Sequence, residues 1–97
     1  ATPIYYYEMS GQMKTLIDRM NAMYRMDYQF RDVYLLTTAA EDEPETPRRA
    51  EMGLTGWIDC YPKSRLAATL FCGGVDEARA ITGNAKLKEA YKLGEQV

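Results

Sequence analysis

Apolar positions along this chain follow two different rhythms. Met13, Leu16, Ile17, Met20, Met23 and Tyr24 fall on one face at helical spacing, with Lys14, Asp18 and Arg19 outside it, so a helix is predicted from about Gly11 to Tyr24. Ser10 stands where its hydroxyl can cap the first turn, although Met13 three residues on rules out a capping box. Val33-Tyr34-Leu35-Leu36-Thr37-Thr38 has adjacent rather than alternating apolar residues, the pattern of a strand covered on both faces. Ala50, Leu54, Trp57, Ile58 and Tyr61 return to helical spacing. That second helix is expected to open at Thr46-Pro47, with threonine as cap and proline at the first helical position, and to stop before Pro62. Leu66 to Cys72 is a second continuous apolar strand, ending at Gly73-Gly74. After an irregular stretch through Ile81, Asn84 caps a last helix expected to turn Leu87, Ala90, Tyr91 and Gly94 inward.

The order helix, strand, helix, strand, helix, with each strand apolar throughout, predicts an α/β chain whose parallel sheet is crossed right-handedly and covered by helices on both faces. Two strands cannot cover three helices, and a bare central strand would expose a pairing edge. Another polypeptide segment or a second copy of the chain is therefore expected to complete the sheet. The start at Ala1, without an initiator methionine, points to a fragment or processed product.

At 97 residues, 46% apolar and a formal charge of −2, the chain has room for one small domain. The weakly acidic balance offers no basic patch for nucleic acid or an anionic membrane, and no stretch approaches the ~20 apolar residues that span a bilayer. A cytoplasmic location is expected. Cys60 and Cys72 show no metal-binding or redox spacing and read as two free thiols. The chain has no histidine, which removes Ser-His-Asp and Cys-His nucleophiles and the usual zinc helices. Chemistry here calls for a bound cofactor, with no side chain as catalytic acid or base and no metal site.

The run Thr2-Pro3-Ile4-Tyr5-Tyr6-Tyr7-Glu8-Met9-Ser10-Gly11-Gln12-Met13-Lys14, leading into a helix with Asp18-Arg19, resembles the segment after the third strand in NADPH-dependent FMN reductases of the flavodoxin-like fold. Leu35-Leu36-Thr37-Thr38, Gly56 to Cys60, Gly73-Gly74 and Leu87 to Tyr91 extend the resemblance, in order, along nearly the whole chain. It implies the C-terminal half (α-β-α-β-α) of a flavodoxin-like three-layer α/β/α domain. The third strand would lie just upstream of Ala1, and the N-terminal half, with its phosphate-binding loop, would be absent. In such sheets FMN sits in the crevice at the carboxyl ends of the strands. The resemblance assigns FMN contacts to Thr2, Pro3, Ile4, Tyr5 and Tyr6 in a first loop and to Thr38, Ala39 and Ala40 in a second. An isoalloxazine is a flat apolar ring with a hydrogen-bonding rim, so aromatic side chains and backbone amides are the groups it requires.

The implied activity of the parent is an FMN-dependent NAD(P)H oxidoreductase passing electrons to a quinone, free flavin or other small-molecule acceptor, as a homo-oligomer or with a complementing N-terminal segment. The alternative for Tyr5-Tyr6-Tyr7 is that three tyrosines at a strand end simply pack a loop. Lys14 and Arg19 read as a solvated helix face, Asp18-Arg19 as a structural ion pair, Gly73-Gly74 as a turn, and Trp57 with the methionines as core. Two rivals stand beside the flavoprotein: an interaction module pairing through an exposed edge at Val33 to Thr38, and thiol redox through Cys60 and Cys72.

Overall fold

The computed structural model describes residues 1–97 as a mixed α/β unit. In chain order its elements are β1 (Thr2–Tyr5), β2 (Glu8–Met9), α1 (Gly11–Arg19), a 3₁₀ turn (Met20–Met23), β3 (Asp32–Thr38), α2 (Arg48–Ile58), β4 (Arg65–Cys72) and α3 (Ala85–Glu95). One open sheet has the order β2-β1-β3-β4, parallel between β1, β3 and β4 and antiparallel only at the β1–β2 hairpin.

The two long strands, β3 and β4, stand where the apolar runs placed them, and they pair from Asp32↔Arg65 to Thr38↔Cys72. A register slip between Val33 and Tyr34, opposite Leu66 and Ala68, leaves Ala67 as the extra residue of a bulge. Ile17, Leu35, Leu54 and Ile58 form the main core, flanked by Met9, Met13, Val33, Trp57 and Leu66. Ile4, Ala39 and Ala50 form a second cluster with Phe71. These side chains join α1 and α2 to one face of the sheet. Alternate residues Leu36, Leu70 and Cys72 turn to the other face, toward α3.

Below the amino end of β3, Phe30 stacks on Trp57 with centroids 5.6 Å apart, and Tyr28 meets Tyr61 edge-on at 5.0 Å. Tyr61 is buried and donates its hydroxyl to the Met20 carbonyl at 3.2 Å, closing α1 over α2. Trp57 is core as expected, yet its indole N–H is buried without a hydrogen-bond partner. Cys60 is exposed, Cys72 is buried, and both are free thiols.

Five expectations need correction. Thr2 to Tyr5 is a strand rather than a loop: Thr2 and Pro3 pair in parallel with Thr37 and Thr38, so the sheet has a third parallel strand where a loop was expected. Pro3 is tolerated because β1 has only one strand beside it at that point. The first helix is α-helical only to Arg19 and tightens into the 3₁₀ turn, with the Met20 amide reaching back to the carbonyls of Leu16, Ile17 and Asp18. Pro47 is the residue before α2 rather than its first turn, and Thr46 spends its hydroxyl on Glu41 instead of capping. Asp18 pairs with Lys14, not Arg19, as the helical spacing of four favours.

The last correction concerns α3. Asn84 caps it as expected, accepting from the Lys86 amide at 2.9 Å, but no residue of α3 is buried. Tyr91 is 72% and Leu87 45% exposed. Leu87 and Ala90 face an open cleft where an inward-facing stripe had been expected to close a core.

Candidate functional site

The carboxyl ends of β1, β3 and β4 form one rim, and each rim segment has a separate local cause. Thr2 is 4% exposed, and its hydroxyl donates to the Pro3 carbonyl at 2.9 Å and accepts from the Ser10 amide at 3.0 Å. The Ser10 hydroxyl in turn accepts from the Met13 amide at 3.2 Å, as a helix cap does. This small polar knot ties β1 to the start of α1, and the chain between them must turn back within Tyr6 and Tyr7. Both take positive φ, 50° and 66°, the left-handed geometry of a two-residue hairpin turn that asparagine and glycine usually supply. Bulky residues held there mark strain carried by the surrounding structure.

The second segment, Ala39 to Thr46, is fastened at its base and along its length. The Ala39 amide donates to the Cys72 carbonyl at 3.1 Å, and the Val75 amide donates to the Ala39 carbonyl at 2.9 Å. Farther out, Gly73 packs so closely that a β-carbon there would lie 2.6 Å from Asp42 Cα and 2.7 Å from the Glu41 carbonyl oxygen. Only glycine fits. Gly73 thus serves the approach of two loops, and Gly74, at φ 71°, turns the chain away.

Of the eight residues the sequence pointed to, the structure brings all to this rim and divides them by role. Pro3 stands beside Thr38 in the sheet register. Thr2, Ile4 and Ala39 are buried; Thr2 is committed to Ser10, and Ile4 and Ala39 to core packing. Pro3 and Thr38 are half-buried and Ala40 is exposed. Tyr5 is 61% and Tyr6 97% exposed, so their rings are the available flat surfaces.

A cleft of about 330 Å³ opens beside the rim, between α3 and the sheet. Pro3, Thr38, Leu36, Leu70, Leu87 and Lys86 are among its lining residues. A larger hollow, about 470 Å³, lies between α1 and α2 and contains none of the eight.

Sequence reasoning missed Tyr7 and Glu41. The Tyr7 hydroxyl donates to Glu41 Oε2 at 2.7 Å across 34 residues of chain, and the Thr46 hydroxyl donates to Glu41 Oε1 at 3.2 Å. The acceptor and its negative charge push the Tyr7 phenol above its ordinary pKa. No local signal links a tyrosine to a glutamate so far away; the acidic run Glu41-Asp42-Glu43 reads only as solvated loop. Comparison with protein-family models, with curated proteins and with solved structures returns no match for this chain.

Proposed function

We propose that this chain is the ring-binding half of a flavodoxin-like, FMN-dependent NAD(P)H oxidoreductase. The observation that carries the reading is a pair of exposed tyrosine rings, Tyr5 and Tyr6, on a tethered hairpin at the carboxyl rim of a parallel sheet. The adjacent parallel order β1, β3, β4 supports it, because it is the order of the last three strands in a doubly wound sheet of the 2-1-3-4-5 kind.

The residues fit the ring end of the cofactor better than its phosphate end. Tyr5 and Tyr6 offer flat faces on the hairpin, Pro3 and Thr38 line the floor of the cleft beside the rim, and Ala40 stands exposed on the rim itself. The buried Thr2, Ile4 and Ala39 hold that floor in place rather than touching a ligand through their side chains. The rim carries no glycine-rich strand-to-helix turn, since Gly73 and Gly74 lead into irregular chain and Gly73 is filled by Asp42. The chemistry a bound FMN supplies is uptake of a hydride equivalent from NAD(P)H and delivery of its electrons to a small acceptor. The chain's own part is to hold the ring and shield one face.

Titration with riboflavin and FMN, read by flavin fluorescence, tests this. Comparable affinities for the two, both lost in Tyr6→Ala, are expected. Absence of binding by either flavin would overturn the reading.

A second reading is favoured by the free flank of β3. The strand is paired along its whole length by β4, so the exposed edge expected at Val33 to Thr38 is limited to the other side, where β1 reaches only Thr37 and Thr38. Val33 to Leu36 have no strand beside them there. A strand from a complementing segment or a second copy fits that gap, with a helix covering the α3 cleft. Native mass spectrometry reports such assembly and any bound flavin together. A monomer at all concentrations would count against it.

A further inference from the structure

We infer that Glu41 is the positioning residue of the rim, a latch that makes the two ring-facing segments one unit before any ligand arrives. The inference rests on the flavin reading only for its functional consequence.

The geometry is specific. Each oxygen of one carboxylate accepts a hydroxyl from a different element: Oε2 from Tyr7 at the hairpin tip and Oε1 from Thr46 just ahead of α2. Thr46 is 2% exposed, so this end of the bridge is anchored in the folded body. The backbone at Glu41 is wedged against Gly73, which fixes the carboxylate's own base. Hairpin tip, acidic loop and α2 entrance therefore meet at one side chain.

The hairpin needs such an anchor. Its β2 strand is two residues long, and Tyr6 and Tyr7 occupy a backbone region that bulky residues avoid. An isolated turn of this kind would relax toward negative φ and carry the Tyr5 and Tyr6 rings with it. A hydroxyl-to-carboxylate bond is short and charge-assisted, the type best able to hold an exposed tip. Holding the rings in place beforehand lowers the ordering cost of binding a flat ligand.

Two measurements on the whole chain test the latch. Amide hydrogen exchange resolved by NMR is followed at Tyr6 to Glu8 and at Glu41 to Glu43 in Tyr7→Phe, Glu41→Ala and Glu41→Gln, each first shown by circular dichroism to be folded. Tyr7→Phe and Glu41→Ala are expected to speed exchange roughly 3- to 10-fold in both segments. Glu41→Gln, which keeps one acceptor oxygen, replaces the other with an amide donor and removes the charge, is expected to fall between the unmodified chain and Glu41→Ala. Acceleration confined to the mutated segment would overturn the latch, as would Glu41→Ala exchanging no faster than the unmodified chain.

The same variants are titrated with riboflavin. Equal losses of affinity in Tyr7→Phe and Glu41→Ala, with no further loss in the double variant, are expected of two ends of one link. Coupled exchange without riboflavin binding by the unmodified chain would leave the latch standing and remove the flavin reading. Riboflavin binding with uncoupled exchange would do the reverse.

Discussion

At the scale of single residues, close approach and backbone sign decide what each position tolerates. Gly73→Ala places a β-carbon against the backbone of Glu41 and Asp42, and a clash with main chain cannot be relieved by rotating a side chain. The expected loss is about 1–3 kcal/mol, measured by urea unfolding. Gly56, on the exposed face of α2 with open space around it, should behave oppositely: Gly56→Ala is expected to gain roughly 0.5–1 kcal/mol from helix propensity. Tyr7 adds a pH prediction. Its pKa is raised in the folded chain by hydrogen bonding to Glu41 and by that residue's charge, so the link contributes fully below the ordinary tyrosine pKa and is lost as pH rises through the folded value. Phenolate absorbance should therefore show one tyrosine titrating late, and Glu41→Gln should bring it back toward the others.

Among the elements, α2 and α3 make a useful contrast. Leu54 is buried between α2 and the sheet, so Leu54→Ala is expected to cost about 2–5 kcal/mol in chemical denaturation. Asn84→Ala removes only the cap of a helix with no buried residue, and a loss near 1 kcal/mol is expected, with fraying of α3 visible in amide exchange. Both helices were legible in the sequence from local signals, α2 from its apolar spacing and α3 from its Asn84 cap. So were β3 and β4, whose unbroken apolar runs require cover on both faces. The β1–β2 hairpin was not legible: its turn is Tyr6-Tyr7 rather than Asn-Gly, and its strands are four and two residues long. The exposure of Tyr91 was hidden for a different reason, since periodicity says which residues share a face but not whether anything covers it. The rim was found in outline from Thr2 to Tyr6 and Thr38 to Ala40. Its fastening through Tyr7, Glu41 and Gly73 depends on contacts between distant segments that no spacing rule encodes.

For the molecule as a whole, the surface is larger than its mass calls for. A compact monomer of 11.1 kDa exposes about 5,700 Å² by the usual scaling, whereas this chain exposes 7090 Å². Its radius of gyration is 14.1 Å, against about 12.5 Å for a compact domain of this length. The surplus, roughly 1,400 Å², exceeds the ~800 Å² that one partner contributes to an ordinary stable interface. Leu87, Tyr91 and Val97 on and after α3 are part of what stands exposed. No helix is long and apolar enough to cross a membrane, and exposed apolar surface of this kind is what a protein interface covers. Thermal midpoints are accordingly expected to rise with chain concentration, or on addition of a complementing segment; a midpoint independent of both would argue that the open face is stable in water.

The flank of β3 from Val33 to Leu36 that faces away from β4 carries this from equilibrium into time. Where a separate chain supplies the neighbouring strand, no unimolecular rearrangement of these residues closes that flank, so the final step of refolding with such a partner is expected to be second order. Its half-time would shorten with dilution into a more concentrated partner, even while the hairpin and α2 form at a rate that ignores concentration altogether.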